Sequence, residues 1–209
     1  IDGEAAAGAG SETGIDPNIG AGTSIWHGAH IMNGARIGAE CNIGQNVFVG
    51  ASAQIGRGCK IQNNVNVYDG VILEDFVFCG PSMTFTNLSS PLPRSAIARR
   101  GAYQVTRVRR HASIGANAVI VCGHELGEAC FVAAGSTVIS DVAAYALVAG
   151  NPARRIGWVC ECGGRLDFDG TYAACEASYE IDRVTQACGR RYELHGEAVS
   201  KVHDPHEGR

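Results

Sequence analysis

Three groups of residues in this 209-residue chain have the chemistry of a reaction or binding site. The histidines His27 and His30 can exchange a proton near neutral pH, which suits acid/base catalysis. A stretch spanning about 86–107 contains four arginines, and guanidinium groups bind phosphates well. Four cysteines follow residue 157, enough thiolates for a tetrahedral zinc site; they are Cys160, Cys162, Cys175 and Cys188.

A six-residue repeat must position these groups. Starting at Ile19, a branched aliphatic residue returns every sixth position for eleven hexads, with Leu73 and Cys79 as the variants. The pattern resumes from Val108 to Val138. Because this period belongs to neither an α-helix nor an ordinary strand, it indicates a solenoid.

Two further positions of each hexad favour a parallel β-helix. Four residues after most aliphatics stands a small or β-branched residue, which suits an interior that a larger side chain would overpack. Cys41, Cys59, Cys79, Cys130 and His124 occupy inward slots and are expected to be interior. Three hexads would close one triangular turn, stacked on the next at about 4.8 Å. Three residues after the aliphatic stands a residue suited to the backbone of a corner; these are Gly22, Gly28, Gly34, Asn46, Gly58, Asn64, Gly70, Asn117, Gly123, Gly135 and Asp141.

The repeat predicts one all-β domain with two additions. Residues 19–157 form the coil, with a loop excursion at about 86–107, and 158–209 form a Cys-containing appendage. The acidic, Ala/Gly-rich residues 1–18 are expected to be a disordered lead-in that lacks signal-peptide features. Loops as long as the excursion at about 86–107 usually carry function, although a solenoid also tolerates a surface insertion. A β-sandwich is disfavoured, because its uneven strands would not hold one phase for so long.

Charge and hydropathy exclude other classes. The formal net charge of −4 argues against a nucleic-acid-binding protein, whose surface is normally basic. No stretch approaches the roughly 20 apolar residues of a membrane span. A cytoplasmic protein is therefore expected.

Five stretches carry a resemblance to a known family: IWHGAHI (25–31), CNIGQNV (41–47), CKIQNNVNVYDGVILEDFVFCGPSMTFTN (59–87), IGANAVIVCGHELG (114–127) and YALVAGNPARRIGWVCECG (145–163). They resemble the hexapeptide-repeat acetyltransferases, which are left-handed β-helices. More narrowly, they resemble bacterial enzymes that acetylate the 3-amino group of a UDP-linked 2-acetamido-3-amino-2,3-dideoxy-glucuronate. The resemblance implies acetyl-CoA as co-substrate, a homotrimer with its cleft between neighbouring coils, and a place in surface-polysaccharide biosynthesis.

The resemblance also implies roles for individual residues. Asn87, where the coil gives way to the loop, would orient the attacking amine through its carboxamide, with His27 and His30 as acid/base candidates. A polar patch would bind the nucleotide sugar, with arginines near the diphosphate: Gln62, Asn63, Asn64, Tyr68, Glu74, Arg94 and Arg107. Later segments would bind coenzyme A: Ala133, Ala134, Gly135, Asn151, Pro152, Ala153, Arg154 and Arg155. Each has a structural alternative, as a corner residue or a solvated side chain.

Other functions remain compatible with the sequence. The acceptor can be another amine or a hydroxyl. A zinc carbonic anhydrase would use three of His27, His30, His111 and His124 across a subunit boundary. A noncatalytic scaffold is a third class, although the outward threonine ranks of ice-binding coils are missing. The cysteine tail can be a small zinc-bound module. The spacing of its four cysteines along the sequence is poor for a zinc site, since Thr185 stands where the resemblance expects a partner for Cys188.

Overall fold

The structure is a computed structural model that describes residues 17–88, 103–181 and 184–205. The predicted lead-in up to residue 16 and most of the predicted loop lie outside the described residues. Regular structure in the described part consists of β-strands. No helix there is long and apolar enough to cross a membrane.

The repeat folds into three parallel sheets that enclose a triangular prism. Ile19 of the first strand lies beside Ile37 of the fourth, and every third strand continues this order through six coils. We call the sheets face 1, face 2 and face 3 in the order in which the chain visits them. The predicted all-β hexapeptide coil is therefore confirmed.

The strand bounds follow the hexads closely. Face 1 contains β1 (Asn18–Ile19), β4 (Arg36–Ile37), β7 (Gln54–Ile55), β10 (Val71–Leu73), β13 (Thr106–Val108) and β16 (Glu125–Leu126). Face 2 contains β2 (Ser24–Ile25), β5 (Asn42–Ile43), β8 (Lys60–Ile61), β11 (Phe78–Cys79), β14 (Ser113–Ile114) and β17 (Phe131–Val132). Face 3 contains β3 (His30–Ile31), β6 (Phe48–Val49), β9 (Asn66–Val67), β12 (Thr84–Phe85), β15 (Val119–Ile120) and β18 (Thr137–Val138).

The prism interior is filled by the two inward positions of each hexad. The aliphatic of the strand is buried, as Ile43 and Ile61 show, while its neighbour on the strand faces outward. The second slot is mostly small, and Ala35 and Ala53 are fully buried there. Each buried aliphatic contributes about 1.5–3 kcal/mol to folding. The cysteines expected inside are buried and free: Cys41, Cys59, Cys79 and Cys130.

The corners confirm the expected backbone, with one exception. Every corner residue named from the sequence has a positive φ except Asp141. The sequence analysis did not predict a role for a second set of glycines, which directly follow the inward aliphatic of many hexads. A Cβ on Gly38 would lie 2.6 Å from the backbone nitrogen of Arg57 in the next coil. Glycine at such corners therefore lets successive coils approach each other closely.

The interior assignment of His124 is wrong. Its side chain is 28% exposed and its Nδ1 lies 3.4 Å from the Asp141 carboxylate, which belongs to the next coil. His124 directly precedes its strand, as the buried Cys41 does, but its imidazole reaches outward to Asp141. Cys122, two residues earlier, is buried in its place.

The end of the prism continues directly into the tail. Strand β19 (Ala146–Gly150) extends face 2, and β20 (Ala153–Val159) returns antiparallel to it. The tail then forms β21 (Arg165–Leu166), β22 (Tyr172–Ala174), β23 (Ser178–Ile181), β24 (Val184–Ala187), β25 (Arg191–His195) and β26 (Ala198–His203). The rings of Tyr145 and Tyr192 meet edge to face at 5.2 Å, which joins the tail to the prism.

Candidate functional site

The corner between face 3 and face 1 carries the polar residues that lie nearest the loop. We call it the loop edge, because the chain leaves the coil there after β12 and returns before β13. The Gln104 backbone N–H donates to the Asn87 carbonyl at 3.1 Å, and the Thr106 N–H donates to the Gly70 carbonyl at 3.0 Å. Exit and re-entry of the loop are thereby fixed side by side, and Asn87 is held at the junction.

Successive coils place further polar groups along the loop edge. Tyr68 lies one coil before Asn87, His124 one coil after it, and Asp141 one coil further. The Asp141 carboxylate accepts a hydrogen bond from the Glu125 N–H at 2.9 Å while it faces the His124 ring. A carboxylate beside an imidazole is an arrangement used for proton transfer in many enzymes.

A cleft of about 440 Å³ lies at the end of the prism, a size typical of small-molecule sites. Its wall includes Ile139, Ser140 and Asp141 of the loop edge, and Arg154 and Arg155 of β20. Ala153 also lines it, so three of the residues predicted to bind coenzyme A share this cleft. Two guanidinium groups at its rim make the cleft suitable for phosphates.

Contacts with the tail orient one of these arginines. The Arg155 guanidinium lies over the Trp158 ring at 4.4 Å and its Nη2 lies 3.1 Å from the Glu197 carboxylate. Glu197 itself lines the cleft. Sequence reasoning missed both partners: the Trp158 contact lies within β20, whereas the Glu197 contact arises only when the tail folds back on β20.

The remaining coenzyme A candidates lie at the same end of the molecule. Ala133, Ala134 and Gly135 form the corner between faces 2 and 3 of the sixth coil. The Gly150 N–H donates to the Ser136 hydroxyl at 3.2 Å, which brings the Asn151–Pro152 turn to that corner. The predicted set is therefore grouped, though only part of it lines the cleft.

The residues predicted to bind the nucleotide sugar face different directions within one chain. Gln62, Asn63 and Asn64 lie on the corner between faces 2 and 3, whereas Tyr68 lies on the loop edge. The Asn63 side-chain oxygen accepts the Gln45 N–H at 2.9 Å, so this asparagine also supports the neighbouring coil.

Glu74 lies on the third corner and is engaged in ion pairs. Its carboxylate lies 2.8 Å from Arg109 and 3.8 Å from Arg107. Arg109 also pairs with Glu125, and these contacts raise its pKa. Arg107 thus joins a network of charges on face 1, while Arg94 lies outside the described residues.

His27 and His30 belong to the first coil. His30 stacks on Phe48 with ring centroids 5.8 Å apart, and its Nε2 lies 3.1 Å from the Met32 sulfur. Asn87 belongs to the fourth coil, about 14 Å further along the axis at three coil steps. Within one chain the structure does not bring these three candidates together.

The four tail cysteines form a compact sulfur cluster. Their sulfurs all lie within 4.8 Å of one another. Among the described residues, the cysteines are the one His/Cys/Asp/Glu group gathered closely enough for a metal ion, and the four histidines of the carbonic anhydrase alternative do not converge within a chain. The sequence spacing is poor for a zinc site, but the fold brings Cys175 close to Cys188, because the backbone of Cys175 is hydrogen-bonded to Gly189 and Arg190.

Two models of repeat families match the coil. "Bacterial transferase hexapeptide (six repeats)" matches residues 16–51, and "Hexapeptide repeat of succinyl-transferase" matches 34–69 and 110–140. The coil carries hexapeptide repeats of the kind that these two models describe. The chain is 43% identical over 97 residues to the dTDP-3-amino-3,6-dideoxy-alpha-D-galactopyranose 3-N-acetyltransferase of Aneurinibacillus thermoaerophilus. That match covers 46% of this chain and 45% of the relative, so less than half of each is compared.

Solved structures share the fold of this hexapeptide-repeat protein. One is AntD, an N-acyltransferase from Bacillus cereus, in complex with dTDP and coenzyme A (TM-score 0.57, 22% identity, 69% of this chain and 84% of that chain). Another is the GDP-perosamine N-acetyl transferase of Caulobacter crescentus in complex with CoA and GDP-perosamine (TM-score 0.53, 21% identity, 65% and 56%).

Proposed function

We propose that this protein transfers the acetyl group of acetyl-CoA to an amino group of a nucleotide-linked amino sugar. The observation that carries the proposal is the continuity of the loop edge. It runs from Asn87 at the loop junction, past His124, to the cleft with Arg154 and Arg155. The similarity to an acetyltransferase of a dTDP-linked 3-amino sugar supports the same chemistry.

The loop edge has the right length for the cofactor. The cleft begins at Asp141, two coil steps from Asn87, which is about 10 Å. An extended pantetheine arm can bridge this distance, with the phosphates at Arg154 and Arg155 and the thioester beside Asn87. Charge-assisted hydrogen bonds from guanidinium groups would hold the phosphates.

The reaction then needs positioning, charge stabilisation and a proton acceptor. The neutral amine attacks the thioester carbonyl, the C–N bond forms, and the C–S bond breaks to release the coenzyme A thiolate. The Asn87 carboxamide orients the amine, which raises the effective concentration of the two reactants. His124, oriented by Asp141, accepts the proton that the amine loses and returns it to the thiolate.

The separate position of the remaining candidates is consistent with an oligomeric site. His27, His30 and the Gln62–Asn64 segment lie on or beside the corner between faces 2 and 3, away from the loop edge. We propose a homotrimer in which this corner of one subunit faces the loop edge of the next. Sedimentation analysis tests this directly: a trimer is expected, and a monomer with full acetyl transfer would contradict the shared site.

The acceptor is proposed to carry its amine at C3 of the sugar. The five resembling stretches favour a UDP-linked 2-acetamido-3-amino-2,3-dideoxy-glucuronate, whereas the similar Aneurinibacillus enzyme acts on a dTDP-linked 3-amino-3,6-dideoxygalactose. The two differ in nucleotide, in the group at C2 (acetamido or hydroxyl), in the configuration at C4, and in the group at C6 (carboxylate or methyl). We place the reaction in the cytoplasm and in surface-polysaccharide biosynthesis.

The test is release of free coenzyme A from acetyl-CoA with each sugar in turn. A chromogenic disulfide reports the thiol, and mass spectrometry of the sugar confirms addition of one acetyl group. Protein thiols are subtracted with a reaction that lacks the sugar. Release of coenzyme A with the UDP-uronate supports the narrower proposal. Release only with another amine keeps the acetyl transfer but assigns a different acceptor. No release with any sugar of a nucleotide amino sugar panel, while the protein is folded, would overturn the acetyl transfer.

A further inference from the structure

The geometry of the tail cysteines matches the coordination sphere of one metal ion. The sulfurs of Cys160 and Cys188 lie 3.5 Å apart, as do those of Cys162 and Cys175. The remaining separations stay within 4.8 Å. Four thiolates around a tetrahedral zinc ion, with bonds of about 2.3 Å, have sulfurs about 3.8 Å apart. This value lies between the two 3.5 Å separations and the 4.8 Å upper limit.

A tight turn brings the first two sulfurs to the same side. The Gly163 N–H donates to the Cys160 carbonyl, and the Cys160 N–H donates to the Gly164 carbonyl, both at 2.8 Å. Gly163 has a φ of 87°, a left-handed conformation that favours glycine. Gly164 leaves room for the cluster, because a Cβ there would lie 3.0 Å from the Cys175 sulfur.

Backbone hydrogen bonds align the second pair of cysteines. The Cys175 N–H donates to the Arg190 carbonyl at 2.8 Å, and the Cys188 N–H donates to the Ala177 carbonyl at 2.8 Å. The two segments run side by side with their sulfurs beside the first turn. Four ligands from three separated segments thus meet at one point of the tail.

The surroundings of the cluster suit a charged thiolate centre. The Arg190 guanidinium lies 3.3 Å from the Cys188 sulfur, and the Tyr192 hydroxyl lies 3.1 Å from the Cys160 sulfur. Zinc with four thiolates carries two negative charges, which the nearby Arg190 cation partly offsets. Arg190 is itself held by Asp204 at 2.8 Å. Hydrogen bonds of this kind around ligand atoms orient them and tune the metal.

We propose that the tail binds one zinc ion through the thiolates of Cys160, Cys162, Cys175 and Cys188, and that this ion is structural. With four protein ligands the ion has no open position for a substrate, which is the feature of a structural site. The tail has a small apolar core around Tyr192 and Leu166, and small folds of this size usually need a metal or disulfides. The ion therefore fixes the tail against β20 and keeps Glu197 at the cleft.

The test measures zinc in the full-length protein and is independent of acetyl transfer. Elemental analysis is expected to find one zinc per chain, and replacement by cobalt is expected to give the visible bands of tetrahedral cobalt thiolate. Cys175→Ser should weaken zinc binding by at least about 100-fold. Cys130→Ala, which removes a buried thiol of the prism, should leave the zinc content unchanged.

A second readout covers variants that fold poorly. Chelation of the wild-type protein should make the tail sensitive to protease while the prism remains intact, and added zinc should restore resistance. A folded wild-type protein without zinc after incubation with excess metal would overturn the proposal, as would iron in the site or two disulfides among these cysteines by mass spectrometry.

Discussion

Neighbouring glycines of the cysteine turn should respond differently to substitution by alanine. A Cβ on Gly164 would lie 2.6 Å from the Ala177 Cβ and 3.0 Å from the Cys175 sulfur. Carbon atoms normally approach to about 3.5–4.0 Å, so Ala177 and its segment must withdraw by about 1 Å. Such overpacking costs about 1–3 kcal/mol, which corresponds to about 5- to 150-fold in zinc affinity. A Cβ on Gly163 meets nothing within 4 Å, so Gly163→Ala costs only the strain of its left-handed backbone, about 1–2 kcal/mol.

A double-mutant cycle separates these two causes. Ala177→Gly removes the nearest atom and should recover about 1 kcal/mol or more of the Gly164→Ala loss, whereas Gly163→Ala and Ala177→Gly should add within about 0.5 kcal/mol. Zinc affinity is measured by competition with a chromophoric chelator, and tail stability by thermal unfolding. If the Gly164 cycle is also additive, the crowding argument is refuted. The combination Gly163→Ala/Ala177→Gly is the matched control.

Three further substitutions test the cleft, the loop edge and the prism in turn. Arg154→Ala should raise KM for acetyl-CoA by about 10- to 150-fold with little change in kcat, since a charge-assisted bond contributes about 1.5–3 kcal/mol; an unchanged KM would remove it from the cleft assignment. His124→Asn should lower kcat by about 10²–10⁴, while His195→Asn in the exposed tail hairpin should not, and equal effects would point to stability instead. Ile61→Ala should cost about 2–5 kcal/mol in chemical denaturation, against less than about 0.5 for Lys60→Ala on the same strand.

The fold could be predicted from sequence because each hexad repeats the same short-range residue preferences. The inward aliphatic, the small second slot and the corner glycine or asparagine each act within a few residues, so their spacing is visible in the chain. His124 was misplaced by the same logic. Its contact with Asp141 joins residues of successive coils, and a one-dimensional pattern does not show which side chain of the next coil a residue can reach.

The candidate site was predictable only in part, for a related reason. Arg154 and Arg155 were found because the segment after Gly150 carries a family resemblance. Glu197 approaches the cleft through the fold of the tail, which has no repeat to read. The four cysteines proposed as metal ligands were found by residue type, but their convergence depends on pairing between distant segments, as in the contact of Cys175 with Arg190.

Because each coil contains about eighteen residues, the length of the prism along its axis can change only by whole coils. Ile19 pairs with Ile37 one full coil later, so insertion or deletion of a whole coil between Asn87 and the cleft would change their separation in single steps of about 4.8 Å. Loss of one hexad would instead turn every later residue onto a different face. Cofactors of different arm length can thus be matched only in discrete increments, one coil at a time.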